Sequence, residues 1–204
     1  MSVAIVIAGS DAEDGKTVFC AALASALGSH YWRAGKAGLS AADGNERVAE
    51  LSGLPEEQIL EQNDLAANAL DAKGSTHPAI NAEQMPVGLP SVRPLVIEGP
   101  GVPGLSSDQP LYDLMTQWHQ PTVIVSRTTP GVLERTLDTI DALRSRKIPI
   151  KGVAFIGDAA PVEEARISEI GEVRRLGRLP WLTVLDKASL REAFCRNFDP
   201  DDFT

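Results

Sequence analysis

The chain has few cysteines and no long apolar segment. Its 2 cysteines, Cys20 and Cys195, stand far apart in 204 residues, which supports neither a disulfide framework nor a cysteine metal cluster. The longest uninterrupted apolar run, Val3 to Ala8, is far too short to cross a bilayer. That run starts close to Met1 without a basic flank, so it is also a poor signal peptide.

Positive charge is also scarce. The chain has 19 Lys and Arg against 28 Asp and Glu, a formal net charge of −9. Nucleic acids and anionic membranes attract an excess of positive charge, so neither is an expected partner. Together with the poor match to a signal peptide and the lack of support for a disulfide framework, this predicts a cytoplasmic protein whose partners are small molecules.

What remains is an ordinary globular composition, 43% apolar and 23% charged. The length suits one compact domain, and we expect residues 1–204 to form a single unit. A helix with a glycine stop is predicted over Thr17 to Leu27, and another over Pro130 to Lys147, opened by Pro130. Short apolar runs typical of buried strands lie at residues 3–8, 95–97, 122–125 and 152–156.

Alternating strands and helices predict an α/β fold, with a mainly parallel sheet flanked by helices in three layers. The stretch from Ala41 to Gln84 has no strand-like run. Its pieces at residues 45–51, 55–62 and 78–84 are typical of short helices. We therefore expect a helical excursion at about residues 41–90.

The strongest chemical signal is the loop after the first strand. From Gly9 to Thr17 it reads Gly-Ser-Asp-Ala-Glu-Asp-Gly-Lys-Thr, a phosphate-binding loop with five residues between its glycines instead of the usual four. Backbone amides and the helix N-terminus supply a local positive field for phosphate, even in an acidic protein. Lys16 would reach the β- and γ-phosphates of a nucleotide, and the Thr17 hydroxyl would ligate Mg²⁺.

At this loop the sequence resembles the dethiobiotin synthetase family, whose signature is Gly-Thr-Asp-Thr-x-Val-Gly-Lys-Thr. The resemblance continues over nearly the whole chain. It covers the segments at residues 31–38, 45–49, 51–54, 96–99, 152–158 and 176–182. It implies a P-loop fold and an ATP- and Mg²⁺-dependent ligase acting in a homodimer. In that reaction CO₂ and diaminopelargonic acid form a carbamate, ATP phosphorylates it, and the second amine closes the ureido ring.

The resemblance also implies functional residues, which we carry onto the matching positions. Lys16 and Arg33 would be catalytic, and Thr17, Glu46 and Glu98 would hold Mg²⁺. Ala37 and Gly99 would contact substrate. The nucleotide contacts would be Glu13, Asp14, Gly15, Lys16, Thr17, Val18, Gly157, Asp158, Leu179, Pro180 and Trp181.

The sequence departs from the family at its reactive positions. Arg33 stands where the family has the lysine that holds the carbamate and the transferring phosphoryl group, and Arg and Lys are not interchangeable at a shaped site. After Glu98 the family's Gly-Ala-Gly-Gly is replaced by Gly-Pro-Gly-Val at residues 99–102. The nucleotide side therefore matches the family better than the diamine side does.

Three hypotheses follow. The chain is a working dethiobiotin synthetase, or a related P-loop ligase with another acceptor, or a nucleotide-binding paralogue without catalysis. Length and end-to-end resemblance favour the first. A partitioning ATPase is less favoured, because no membrane-targeting amphipathic helix is evident at the C-terminus.

Overall fold

A computed structural model describes residues 4–11, 15–34, 39–60, 88–99, 101 and 109–204. The strands in this part are β1 (Ala4–Gly9), β2 (His30–Arg33), β3 (Ile59–Leu60), β4 (Leu95–Glu98), β5 (Thr122–Arg127), β6 (Ile150–Ile156) and β7 (Arg175–Leu179). The α-helices are α1 (Lys16–Leu27), α2 (Leu39–Ser52), α3 (Gln109–Trp118), α4 (Val132–Ser145), α5 (Pro161–Ile170) and α6 (Lys187–Asn197). Short 3₁₀ helices span Glu56–Gln58 and Pro200–Phe203.

These strands form one sheet in the order β3-β2-β4-β1-β5-β6-β7, with every neighbouring pair parallel. β1 lies at the centre, and all six of its residues are buried. A continuous apolar run suits this place, because a parallel sheet is covered on both faces. The predicted α/β class is confirmed, and the described sheet is parallel throughout.

Helices pack on both faces of the sheet. α1, α2 and α6 cover one face, where Phe19 of α1 packs against Phe194 and Phe198 with ring centroids 5.9 and 5.5 Å away. α3, α4 and α5 cover the other face, where Trp32 of β2 lies 5.7 Å from Trp118 of α3. This is the predicted three-layer arrangement. No described helix has the combination of length and apolar character that crossing a bilayer requires.

The predicted end of the first helix agrees with the structure, whereas the predicted start of the helix at Pro130 does not. α1 ends at Leu27, and Gly28 follows in the left-handed conformation with φ 57°, as a glycine stop predicts. The other helix, α4, begins at Val132 rather than at Pro130. Gly131, with φ 81°, takes the N-cap position, so the proline lies in the loop before the helix.

The expectation that the stretch from Ala41 to Gln84 lacks strands is wrong for its described part. Ile59 and Leu60 form β3, which pairs with Tyr31 and Trp32 of β2 at the sheet edge. A strand of two residues is too short to show a period of two, so sequence patterning cannot detect it. The helix expected at residues 55–62 is therefore a 3₁₀ turn followed by β3.

The neighbouring helix predictions on this stretch have other outcomes. α2 contains the helix predicted at residues 45–51, but it begins earlier, at Leu39. The helix predicted at residues 78–84 lies outside the described residues.

Candidate nucleotide-binding site

The phosphate loop lies between the centre of the sheet and α1. β1 ends at Gly9, and α1 begins at Lys16 directly after Gly15. Gly15 has φ +83°, and a Cβ there would lie 3.0 Å from Ile156 Cδ1 at the end of β6. A side chain is therefore disfavoured at Gly15 by both conformation and space.

Two of the predicted loop residues can be placed in detail. Lys16 is only 9% exposed, and Thr17 extends its side chain toward β4. Val18 packs against the core beneath α1. Glu13 and Asp14, which the resemblance assigns to nucleotide binding, lie outside the described residues.

Glu98, the last residue of β4, is the centre of a group of polar side chains. It is 3% exposed, and three side chains of the described chain contact its carboxylate. Thr17 Oγ1 donates to Oε1 at 3.0 Å, Tyr31 donates its hydroxyl to Oε2 at 2.7 Å, and Arg33 Nη2 lies 3.3 Å from Oε1. These partners compensate the burial of the carboxylate oxygens, which would otherwise be costly.

The sheet register explains why these residues meet. Arg33 of β2 is directly opposite Glu98 of β4, and Tyr31 precedes Arg33 by two residues on the same face. On the other side, β4 pairs with β1, whose end leads into the phosphate loop and Thr17. The carboxyl edge of three adjacent strands therefore gathers a hydroxyl, a carboxylate and a guanidinium beside the loop.

Tyr31 is a site residue that the sequence analysis did not assign. It is fully buried, and burial together with the nearby Glu98 carboxylate raises the pKa of its phenol far above the ordinary value. The phenol therefore stays protonated and donates to Glu98. Its spacing of two residues from Arg33 on a strand was the available signal, because that spacing places both side chains on one face.

The donors present suit a magnesium ion better than a softer metal. Thr17 and Glu98 offer oxygen atoms, and no group of three or more His, Cys, Asp or Glu side chains that could hold a metal occurs in the described part of the chain. Mg²⁺ is commonly bound by one or two protein oxygens with the substrate phosphates supplying others. Zn²⁺ sites need three or four nitrogen, sulfur or carboxylate ligands, which this edge lacks among its described residues.

The third predicted metal ligand, Glu46, is placed differently. It lies on α2 with an exposed side chain, whereas the described contacts of the Glu98 carboxylate come from β2 and α1. The structure thus brings Thr17 and Glu98 together but does not add Glu46 to them.

The residues predicted around the nucleotide base gather at the ends of β6 and β7. Gly157 has φ +118°, and a Cβ there would lie 3.4 Å from the Trp181 ring. Trp181 is 52% exposed, and the Arg127 guanidinium lies 4.8 Å from its ring centroid. Gly157 also accepts a hydrogen bond from Arg178 Nη1 at 2.8 Å.

The other predicted base contacts are neighbours of these residues. Leu179 is buried and its carbonyl accepts from Gly157 N at 2.9 Å, while Pro180 is half-buried and Asp158 is exposed. Since a Cβ built on Gly15 would lie 3.0 Å from Ile156, the residue before Gly157, this cluster lies close to the phosphate loop. An exposed indole here offers a flat apolar surface of the kind that stacks on a base.

The two predicted substrate residues have different outcomes. Ala37 lies outside the described residues. Gly99 follows Glu98 and donates its N–H to Ile7 O at 2.8 Å. A Cβ on Gly99 would lie 2.9 Å from Val6 Cγ1, so packing against β1 already requires a glycine there.

A further crevice of about 460 Å³ opens at the same edge of the sheet, between the loops that precede α4 and α5. Arg135 of α4, on one side of this crevice, forms an ion pair with the phosphate loop: its Nε lies 3.2 Å from the Asp11 carboxylate. The same guanidinium donates to Thr129 Oγ1 and Pro130 O, both at 2.7 Å. The loop and this crevice are therefore joined by one ion pair.

The strand–loop–helix unit, the central parallel strand and the Thr17–Glu98 pair define the class as a P-loop nucleotide-binding protein. The model of the AAA domain family matches residues 3–189. Among solved structures, the septum site-determining protein MinD from Pyrococcus horikoshii, complexed with Mg-ADP, is similar with a TM-score of 0.60. It is 16% identical and covers 95% of this chain and 86% of its own, a likeness that shows the fold alone.

Relatives found by sequence similarity indicate one family within this class of P-loop nucleotide-binding proteins. The ATP-dependent dethiobiotin synthetase BioD of Novosphingobium aromaticivorans is 42% identical over 208 residues, covering 98% of both chains. That of Rhodopseudomonas palustris strain TIE-1 is 43% identical, covering 100% of this chain and 98% of its own. The chain belongs to the AAA domain family and to the ATP-dependent dethiobiotin synthetase family.

Proposed function

We propose that this chain is an ATP- and Mg²⁺-dependent dethiobiotin synthetase. It would carboxylate diaminopelargonic acid with CO₂ and close the ureido ring, a ligase reaction of biotin biosynthesis. The observation that carries this proposal is the full-length similarity to dethiobiotin synthetases, 42% and 43% identical. The meeting of Thr17, Arg33 and Glu98 beside the phosphate loop supports it.

ATP would lie along the carboxyl edge of the sheet. Lys16 and the amides of residues 13–18 would hold its phosphates, since a helix N-terminus and a loop lysine favour anions there. Its base would lie between Trp181 and the backbone of residues 157–158 and 179–180.

Mg²⁺ would be held by Thr17 and Glu98, with Glu46 as the third proposed ligand. Thr17 Oγ1 and Glu98 Oε1 are 3.0 Å apart, about the separation of adjacent oxygen ligands around an octahedral Mg²⁺ with bonds of about 2.1 Å. The residues present therefore fit the ion. When bound, Mg²⁺ neutralises charge on the phosphates during phosphoryl transfer.

Arg33 would act on the reacting groups. One amine of the diamine adds to CO₂ and loses a proton to give a carbamate, whose oxygen attacks the γ-phosphorus of ATP and releases ADP. The second amine then attacks the carbonyl carbon and expels phosphate, forming the ring. A fixed guanidinium at this edge can bind the carbamate and the phosphoryl oxygens in both steps, because its planar donors match such anions.

The finer features of the proposal follow the family. We expect a cytoplasmic homodimer whose substrates are small molecules, with Ala37 and Gly99 near the diamine. A P-loop ligase with another acceptor and a non-catalytic nucleotide binder are the alternatives, since the departures at residues 33 and 99–102 lie on the substrate side.

The test is product formation by the purified protein. It is incubated with ATP, Mg²⁺, bicarbonate and diaminopelargonic acid, and dethiobiotin is detected by mass spectrometry. Product above that of the Lys16→Ala variant supports the synthetase. ATP binding without any product contradicts it, and favours another acceptor or a non-catalytic role.

A further inference from the structure

Gly44 of α2 lies directly against the Arg33 side chain. It is buried, and a Cβ built on it would lie 2.7 Å from Arg33 Cζ and would overlap Nη1. Real Cβ atoms do not come this close to other atoms, so any side chain at position 44 would displace the guanidinium.

The other end of the same guanidinium reaches the site. Arg33 Nη2 lies 3.3 Å from Glu98 Oε1, and the side chain is 14% exposed. A guanidinium is rigid and planar, so Nη1 cannot move without also moving Nη2. The position of Nη1 beside Gly44 therefore determines the position of Nη2 beside Glu98.

We propose that Gly44 is a positioning residue for Arg33: its missing side chain gives the arginine the room to reach Glu98. The catalytic consequence rests on the proposed function, whereas the contact itself does not. Position 33 and position 44 would then be coupled, so that an arginine at 33 requires a glycine at 44.

A lysine at position 33 should remove this requirement. Its ammonium carries one nitrogen at the end of an unbranched stem and has no second arm to lie over α2. A glycine within a helix is otherwise unfavourable, and the backbone of Gly44 is helical without a positive φ. With lysine at 33, an alanine at 44 should therefore stabilise the protein.

The test is a double-mutant cycle on the full chain with wild type, Gly44→Ala, Arg33→Lys and the double variant. The first measurement is the thermal unfolding midpoint without ligand. Gly44→Ala is expected to lower the midpoint when residue 33 is arginine and to raise it when residue 33 is lysine. Glu50→Ala is the control, because Glu50 is exposed on the same helix and should give the same small shift in both backgrounds.

The second measurement is turnover in the dethiobiotin assay. With Arg33 present, Gly44→Ala is expected to lower kcat by about a hundredfold, the effect of misplacing a reacting group by about 1 Å. The KM for ATP should stay within about twofold, because Lys16 and the phosphate loop are untouched. In the Arg33→Lys background, Gly44→Ala should leave kcat within about twofold.

The two measurements distinguish a failure of the proposed function from a failure of the coupling between residues 33 and 44. If wild type makes no dethiobiotin, the proposed function is wrong, and the unfolding midpoints still decide whether residues 33 and 44 are coupled. An equal effect of Gly44→Ala on the midpoint in both backgrounds would overturn the coupling. Coupled midpoints with an unchanged kcat would overturn the positioning role.

Discussion

Tyr31→Phe removes one hydroxyl from the buried group around Glu98 and leaves the ring in place. The lost bond is a donation of 2.7 Å to a carboxylate that is 3% exposed. Hydrogen bonds to charged groups contribute about 1.5–3 kcal/mol, so we expect the variant to be about 2 kcal/mol less stable at pH 8. Urea unfolding followed by circular dichroism measures this loss.

The difference between wild type and Tyr31→Phe should shrink at high pH. The pKa of Tyr31 is raised far above its ordinary value of 10.0, first by burial and then by the Glu98 carboxylate. Above pH 10 the unfolded chain releases this proton while the folded chain keeps it, so the stability from Tyr31 falls as pH rises. Between pH 9 and pH 11 the fall is about 1.4 kcal/mol, which the variant does not undergo.

Tyr112→Phe is the matched control at pH 8. Tyr112 is also buried, but its hydroxyl donates to the uncharged carbonyl of Gly101 at 2.9 Å. Its loss should therefore cost less, about 1 kcal/mol. Equal costs for the two variants would refute the stronger hydrogen bond expected of a carboxylate acceptor. A stability difference between wild type and Tyr31→Phe that stays constant from pH 9 to pH 11 would refute the raised pKa.

Three further variants test other parts of the site. Lys16→Ala should abolish ATP binding in calorimetry with an unchanged circular dichroism spectrum, and unaltered affinity would contradict the loop assignment. Trp181→Phe should remove any change of tryptophan fluorescence on ATP addition, because Trp32 and Trp118 are buried in the core; a full remaining change would place the base elsewhere. Thr17→Val should raise the Mg²⁺ concentration needed for half-maximal activity by about tenfold, corresponding to one lost ligand bond, and an unshifted Mg²⁺ dependence would remove Thr17 from the metal site.

Much of the fold is predictable from local patterns. Continuous apolar runs predict buried parallel strands, and Gly28 marks the end of α1, because each signal depends on residues close in sequence. β3 escapes prediction because two residues cannot show a period. Its place at the edge depends on pairing with β2, which is a long-range contact.

The candidate site is predictable where residue type and position determine the chemistry. The phosphate loop follows from such a signal, and the family resemblance assigns Glu98, which the structure places at the end of β4. Tyr31 and Gly44 do not, because their roles depend on a register between β2 and β4 and on the packing of α2 against Arg33. The family resemblance implies that Arg33 stands in place of a lysine, and the three-dimensional arrangement shows that Gly44 leaves room for its guanidinium.

The most direct test uses isotopically labelled bicarbonate. Purified protein is incubated with ATP, Mg²⁺, diaminopelargonic acid and the labelled bicarbonate, and dethiobiotin and phosphate are quantified for wild type and Arg33→Ala. We predict that wild type forms labelled dethiobiotin with one phosphate released per molecule, and that Arg33→Ala forms none while still binding ADP. Phosphate release without labelled product in wild type, or full activity of Arg33→Ala, would contradict ring closure at this site.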